Sequence, residues 1–353
     1  MSAGADTRTT GTASNTDAGS ATPPPKPKPG PAGDGGHRPG QGGPSLWPTI
    51  GFLRRLREGV EGTGDLPGAF AGAMLGLPRD ARESLDTLMR RLGGDYPEDE
   101  WGFDEQFADA ALPFLEFLFE RWWRVQVTGV RNVPSHGRAL LVSNHAGSLF
   151  PWDGAMVGTA ILKEHPLPRF TRFLVLNWAF ELPYVSVAIR KFGSVPASPF
   201  NAMRLLEQDE LVGVFPEGVK GTGKAFADRY RLQRFGRGGF VEMALRTSSP
   251  IVPVAVVGSE EIYPKLGEAS LLARLSGAPF VPITPTFPLL GPLGLVPLPS
   301  KWRIEFCDPI DTARYGPDAA QDRTLVFELS EQVRETIQAK VYENLVERGS
   351  AFL

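Results

Sequence analysis

From Val125 onward, short apolar runs alternate with amphipathic stretches, and this alternation constrains the fold more than any other feature of the chain. Strands are expected at Val125–Val130, Ala139–Ser143, Phe173–Leu176, Leu211–Phe215, Ile251–Val257 and Trp302–Cys307. Helical spacing lies between several of them, at Asp153–Leu162, Asn201–Glu207 and Gly239–Thr247, and a long amphipathic helix is expected over Ala320–Arg348. Strands separated by helices predict one α/β domain over residues 121–353, with a mixed, mostly parallel sheet flanked by helices. Ahead of it, residues 46–120 read as a helical region. There FLRRLREGV, ARESLDTLMRRLG and FADAALPFLEFLFERWWRV repeat leucines and aromatics at three- and four-residue spacing. Residues 1–45 hold 10 Gly and 8 Pro but no Leu, Ile, Val, Phe, Tyr or Trp. Such a stretch buries too little apolar surface to offset its ordering entropy, so a disordered tail is expected, stiffer at PPPKPKPGP.

Composition narrows the function. The chain of 353 residues balances 37 Lys+Arg against 40 Asp+Glu, a formal charge of −3, which excludes a general nucleic-acid-coating role. A single cysteine excludes an intramolecular disulfide and any zinc site that needs two of the chain's own thiolates. No apolar run reaches eighteen residues, so no ordinary membrane-spanning helix is expected. The opening MSAGADTRTTGTAS lacks a basic-then-apolar pattern, so export is not expected.

ALLVSNHAGSLFPWDGAMVGTAIL is the most informative stretch. The apolar run ends in Ser143–Asn144–His145, and α/β sheets place their chemistry beyond the carboxyl ends of strands. Pro151 suits the first turn of a helix and puts Asp153 in that turn. The intervening segment contains Gly147 and can fold back, letting Asp153 reach His145. An imidazole held by a carboxylate through one nitrogen is a general base at the other, able to deprotonate an alcohol attacking a carbonyl. The alternative is a histidine that only orders its loop.

A second run ends in FPEGVKGTGK, residues 215–224. Its Gly218 and Gly223–Lys224 resemble a phosphate-binding loop, but Ala225 stands where a Mg²⁺-binding Ser or Thr belongs. The competing reading is an anion-facing turn in which Glu217 orders the site while Lys220, Lys224 and Arg229 neutralise a phosphate. A solvated charge cluster is the bland alternative. RYRLQRFGRGGF, residues 229–240, adds Arg231, Arg234 and Arg237 just before a helix start, facing a phosphate or pairing with carboxylates.

Taken together, Asn144–His145 with Asp153, FPEG at 215–218 and PIVPVAVVG at 250–258 resemble three blocks of the glycerolipid acyltransferase family, the lysophospholipid or 1-acylglycerol-3-phosphate acyltransferase group. The resemblance covers about residues 120–310. It implies an O-acyltransferase that moves a fatty acyl group from acyl-CoA or acyl-carrier protein to a hydroxyl of a glycerolipid acceptor. The His145–Asp153 pair would act as base, with no covalent acyl-enzyme and no cofactor or metal. It further implies acceptor binding by Glu217, Gly218, Lys220, Lys224 and Gly193, and makes Asn144, Arg229 and Arg237 oxyanion or phosphate candidates. Backbone amides after His145 or near Gly218 are further oxyanion candidates.

Two departures stand out. The family spacing is His, four residues, Asp; here seven residues intervene. In KFGSVPASPFNAMRLL, Gly193 is present, but Ser198–Pro199 occupy the place of an arginine that grips glycerol phosphate. Either Lys220, Lys224 and Arg204 supply that charge, or the acceptor is uncharged, such as a diacylglycerol or a long-chain alcohol. A thioester hydrolase and a catalytically degenerate lipid-binding protein are the competing classes.

PFVPITPTFPLLGPLGLVPLPSKW, residues 279–302, carries no charge before Lys301 and is too rich in proline for a regular helix. With Phe114, Phe117, Phe119, Trp122 and Trp123 it reads either as core or as a membrane-contacting surface. Substrates that partition into bilayers imply a membrane surface as partner and a cytoplasmic, peripheral location on the inner face. Cys307 is expected buried; His37, His136 and His165 read as surface residues.

Overall fold

Two strands are buried along their whole length, β2 (Ala139–Ser143) and β6 (Ile251–Val257), as expected of central strands covered on both faces. In this computed structural model, residues 98–146, 150–182, 185–276 and 280–352 are described. The tail at 1–45, the first two helical segments of 46–97, Gly147 and His37 lie outside them. The chain divides into two units, Met1–Ser45 and Leu46–Leu353, and every described residue belongs to the second.

Seven strands form one sheet in the order β1-β9-β6-β2-β5-β3-β4. The others are β1 (Gln126–Thr128), β3 (Thr171–Val175), β4 (Val195–Pro196), β5 (Leu211–Val214) and β9 (Arg303–Phe306). Every pairing is parallel except β6 with β9, so the sheet is mixed and mostly parallel, as the alternation of strands and helices predicted. β2 lies between β5 and β6, with Leu140 in register with Val212 and with Ile251. A separate hairpin pairs β7 (Gly267–Glu268) with β8 (Pro282–Ile283).

Period-two alternation sends the central side chains into two cores. Leu140, Val142, Ile251, Ala255 and Val257 pack on one face against Leu205, Leu245, Val333 and Ile337. These come from α4 (Pro199–Glu207), α6 (Gly239–Arg246) and α8 (Arg323–Arg348). Ala139, Leu141, Val252, Val254 and Val256 point the other way, onto Met156, Val157, Ile161, Trp123 and Trp302. Met156–Ile161 belong to α2 (Trp152–Glu164). The helix α1 (Glu105–Phe117) runs on through a π-helical turn at Leu118–Trp122 into this second core. Shorter helices are α3 (Val185–Lys191), α5 (Val219–Thr222) and α7 (Ser270–Ser276). No helix among the described residues is long and apolar enough to cross a membrane.

The structure decides one open reading and corrects one expectation. Phe119 and Trp123 are core residues, 2% and 0% exposed, and therefore cannot contact a bilayer. The Trp122 indole donates to Pro297 O at 3.0 Å and that of Trp123 to Leu298 O at 3.1 Å, so residues 297–298 are bound to the body of the fold. His165 is buried rather than superficial, its ring nitrogens facing Leu167 O and Val133 O at 2.7 and 3.0 Å. Cys307 is buried, as expected, and burial pushes its thiol up to about 12.

Candidate active site

β2 delivers Asn144 and His145 beyond its carboxyl end, and Asp153 stands in the first turn of α2. The two meet: His145 Nδ1 lies 2.7 Å from Asp153 Oδ2, with side chains 15% and 0% exposed. The same oxygen accepts from Ala146 N at 2.8 Å, and Oδ1 accepts from Gly154 N at 2.9 Å. A carboxylate fixed by backbone donors is an acceptor toward the ring, so Nδ1 carries the proton and Nε2 is the basic nitrogen. Seven intervening residues thus accommodate the contact. The Phe215 ring stacks on the imidazole at 4.4 Å between centroids.

The FPEG turn holds the histidine from behind. Glu217, 3% exposed, accepts from His145 N through Oε1 at 2.8 Å and from Gln233 N through Oε2 at 2.6 Å. It ties the end of β2 to the arginine-rich segment and is architecture rather than a surface for acceptor. Gly218 turns the chain with φ +54° and starts α5. Gly221 must be small: a Cβ there would lie 2.7 Å from both His145 O and Glu217 Cβ.

Five further candidates have partners within the protein. The Asn144 amide bridges to β6, donating to Val256 O at 2.9 Å and accepting from Val256 N at 2.8 Å, so it cannot hold an oxyanion. Lys224 is interior, with Nζ 3.5 Å from Glu217 Oε2 and 3.8 Å from Glu260 Oε1; its charge is engaged within the protein. Gly193, at φ +80°, allows the Arg172 guanidinium to pass where a Cβ would sit 2.7 Å from Nη1, so packing requires a glycine there. Arg229 donates to Phe226 O at 2.9 Å and lies over the Phe226 ring at 4.3 Å. Arg204 pairs with Glu100 and lies over Trp101. The Ala146 amide is bound by Asp153 and that of Gly218 by Phe215 O, which removes both as oxyanion donors. Lys220 and Arg237 remain exposed.

His145 opens into a groove of roughly 630 Å³, of the size that takes a small lipid-like ligand. Its walls are apolar, including Leu112, Leu162, Phe173, Phe192, Phe215 and Phe280, and Arg237 is the single Lys, Arg, Asp or Glu among the described lining residues. Ser198 and Pro199 line it too. Instead of an arginine, Ser198 caps α4 by accepting from Asn201 N at 3.1 Å, with Pro199 in the first turn.

Sequence reasoning missed Phe215 as the ring beneath the histidine, and Gln233 and Glu260 behind it. Glu260 is distant from Lys224 along the chain, and no local pattern marks it. Its carboxylate oxygens are buried without hydrogen-bond partners, and burial pushes it up to about 7 despite Lys224 nearby.

Similarity to known proteins falls on the strands and turns that build this site: the model of the Acyltransferase family matches residues 124–257. An uncharacterized protein of Mycobacterium tuberculosis is 56% identical over 266 residues, 75% of this chain and 74% of that one. A 1-acyl-sn-glycerol-3-phosphate acyltransferase of Borreliella burgdorferi is 24% identical over 145 residues, 40% of this chain and 54% of its own. A Bos taurus protein described as a DGAT1/2-independent enzyme synthesizing storage lipids is 23% identical over 223 residues, covering 62% and 60%. Among solved structures, the LPA acyltransferase PlsC of Thermotoga maritima aligns with a TM-score of 0.48 and 20% identity, covering 75% of this chain and 89% of that one.

Proposed function

Because this chain belongs to the glycerolipid acyltransferase family and is an acyltransferase, we propose that His145, held by Asp153, is its general base. In this reading the enzyme moves a fatty acyl group from a thioester, acyl-CoA or acyl-carrier protein, to a hydroxyl of a lipid acceptor. The observation that carries it is the 2.7 Å contact between His145 Nδ1 and a fully buried Asp153, at the wall of an apolar groove. Nε2 takes the hydroxyl proton as the acceptor oxygen attacks the thioester carbon. The tetrahedral adduct collapses, the C–S bond breaks, and the imidazolium returns its proton to the thiolate. Asp153 keeps the ring in the tautomer that leaves Nε2 free and stabilises the charge it gains.

The groove favours an acceptor without a phosphate. Lys224 is engaged with Glu217 and Glu260, Ser198–Pro199 stand in place of the arginine, and Arg237 alone brings positive charge to the described lining. Bringing a phosphate dianion into such walls without paired cations is costly. Diacylglycerol or a long-chain alcohol fits this chemistry better than lysophosphatidate, in keeping with the bovine relative named for storage-lipid synthesis.

The test is incubation of the purified full chain with acyl-CoA and, separately, lysophosphatidate, glycerol phosphate, diacylglycerol and a fatty alcohol, followed by lipid mass analysis. Esterification of an uncharged acceptor is expected, and His145→Ala should lower it about 10²–10⁴-fold. Free fatty acid as the sole product would make the protein a hydrolase, and wild-type turnover by His145→Ala would remove the base. Preference for lysophosphatidate would reverse the acceptor assignment alone.

A further inference from the structure

Exposed leucines concentrate in one part of the chain. Leu266, Leu271, Leu289 and Leu290 are 68%, 68%, 84% and 57% exposed, and Ile283 is 37% exposed. All belong to the β7–β8 hairpin, the helix α7 inside it, and the turn that follows. The backbone brings part of this set together: Leu266 N donates to Ile283 O at 2.8 Å, and Leu290 N to Thr286 O at 2.8 Å. The segment from 266 to 290 contains one acid, Glu268, and its carboxylate is paired with Lys265.

The same hairpin has an inward side that belongs to the site. Phe280 is 5% exposed, lines the groove beside Val219 and Arg237, and lies under Lys265 Nζ at 4.8 Å. Phe226 N donates to Lys265 O at 3.0 Å, which attaches the hairpin to the basic stretch 219–240. That stretch holds six Lys and Arg against the single acid Asp228. Lys220, Arg231, Arg234 and Arg237 are exposed there, as is Arg274 on α7. Exposed apolar side chains and exposed cations thus lie on two segments that the Phe226 N–Lys265 O bond joins, and each segment contributes a residue to the groove lining.

We infer that the outer face of the β7–β8 hairpin and its following turn is a docking surface for an anionic lipid bilayer, placed so that lipid passes from the membrane into the groove. The inference rests on the acyltransferase reading for its choice of occupant. Leucines transfer favourably into hydrocarbon, and Lys and Arg near a membrane surface are drawn to anionic headgroups. Exposed leucines beside a segment with six Lys and Arg and one acid offer both an apolar and a cationic contact, which match the hydrocarbon and the anionic headgroup layers of such a membrane.

The experiment is co-sedimentation of the full chain with vesicles of phosphatidylcholine alone and with about one-third phosphatidylglycerol. Binding should appear with the anionic vesicles and weaken with added salt. The double variant Leu289→Ser, Leu290→Ser should bind at least about tenfold more weakly, since two leucines no longer enter hydrocarbon. Arg231→Gln with Arg234→Gln should weaken binding to anionic vesicles while leaving the melting temperature unchanged. Transfer to a short-chain, water-dispersed acceptor should be unaffected by the leucine changes. Wild-type affinity in the leucine variant would overturn the inference. So would absence of vesicle binding by the wild type, or a concentration-dependent dimer in sedimentation velocity that the variant abolishes; the surface would then join two copies. Vesicle binding without acyl transfer would leave this surface standing and remove the catalytic reading; acyl transfer with unaltered binding in the variant would do the reverse.

Discussion

At the scale of single residues, the site depends on carboxylates used for different ends. Asp153 faces the ring and Glu217 faces the main chain of the same histidine. Asp153→Asn keeps the volume but offers an amide that can present N–H toward Nδ1, favouring the wrong tautomer. Its kcat should fall by about 10²–10⁴, and because the same oxygen accepts from Ala146 N, stability in urea should fall by about 1–3 kcal/mol. Glu217→Ala should lower stability too. It leaves His145 N and Gln233 N without acceptors and the buried Lys224 without one of its two carboxylates. A loss of about 3 kcal/mol is expected in urea unfolding, the usual consequence of breaking a buried charge pair. Gly221→Ala, which forces a methyl against His145 O, should reduce kcat more than it reduces stability, as read from parallel kinetics and melting. The meeting of His145 and Asp153 was legible because a strand end and a helix's first turn can each be located from sequence. The inward direction of Glu217 and the burial of Lys224 were not, because both depend on partners in other elements.

Elements follow the same division. β2, β5 and β6 are contiguous apolar runs bounded by turn residues, and their sequence spans match the structure closely. β4, β7 and β8 are two residues each, paired only because neighbours bring them into register, so no periodicity of their own announces them. α3, seven residues long, is likewise too short to show a helical period of its own. α8 was visible from its amphipathic repeat, though it begins at Arg323 rather than Ala320, since Asp322 caps it by accepting from Thr324 N and Leu325 N. Asp322→Ala should therefore cost about 1 kcal/mol in urea unfolding and leave kcat unchanged. The apolar stretch 279–302 divides. Its end is bound to the body through Trp122 and Trp123, while Leu289 and Leu290 face outward, a difference that composition alone does not encode.

For the whole molecule, the buried acid behind the site sets a pH dependence. Glu260 binds its proton more tightly in the folded protein than when unfolded, since burial raises it from 4.5 to about 7. Stability from this group is therefore full below its unfolded value and declines as pH rises from 4.5 toward 7, levelling off above it. Melting temperature should fall across that window, by a free energy of at most about 3 kcal/mol, and Glu260→Gln should flatten the decline. An unchanged slope in the variant would place the titration elsewhere. The sheet carries a different consequence. His145 extends from β2, and Phe215 and Glu217 from the adjacent β5, two neighbouring strands at its centre. Amides in such strands exchange with deuterium only when the entire domain opens. Heat inactivation should accordingly track the loss of slow-exchanging protons, with no dead but folded species accumulating beforehand.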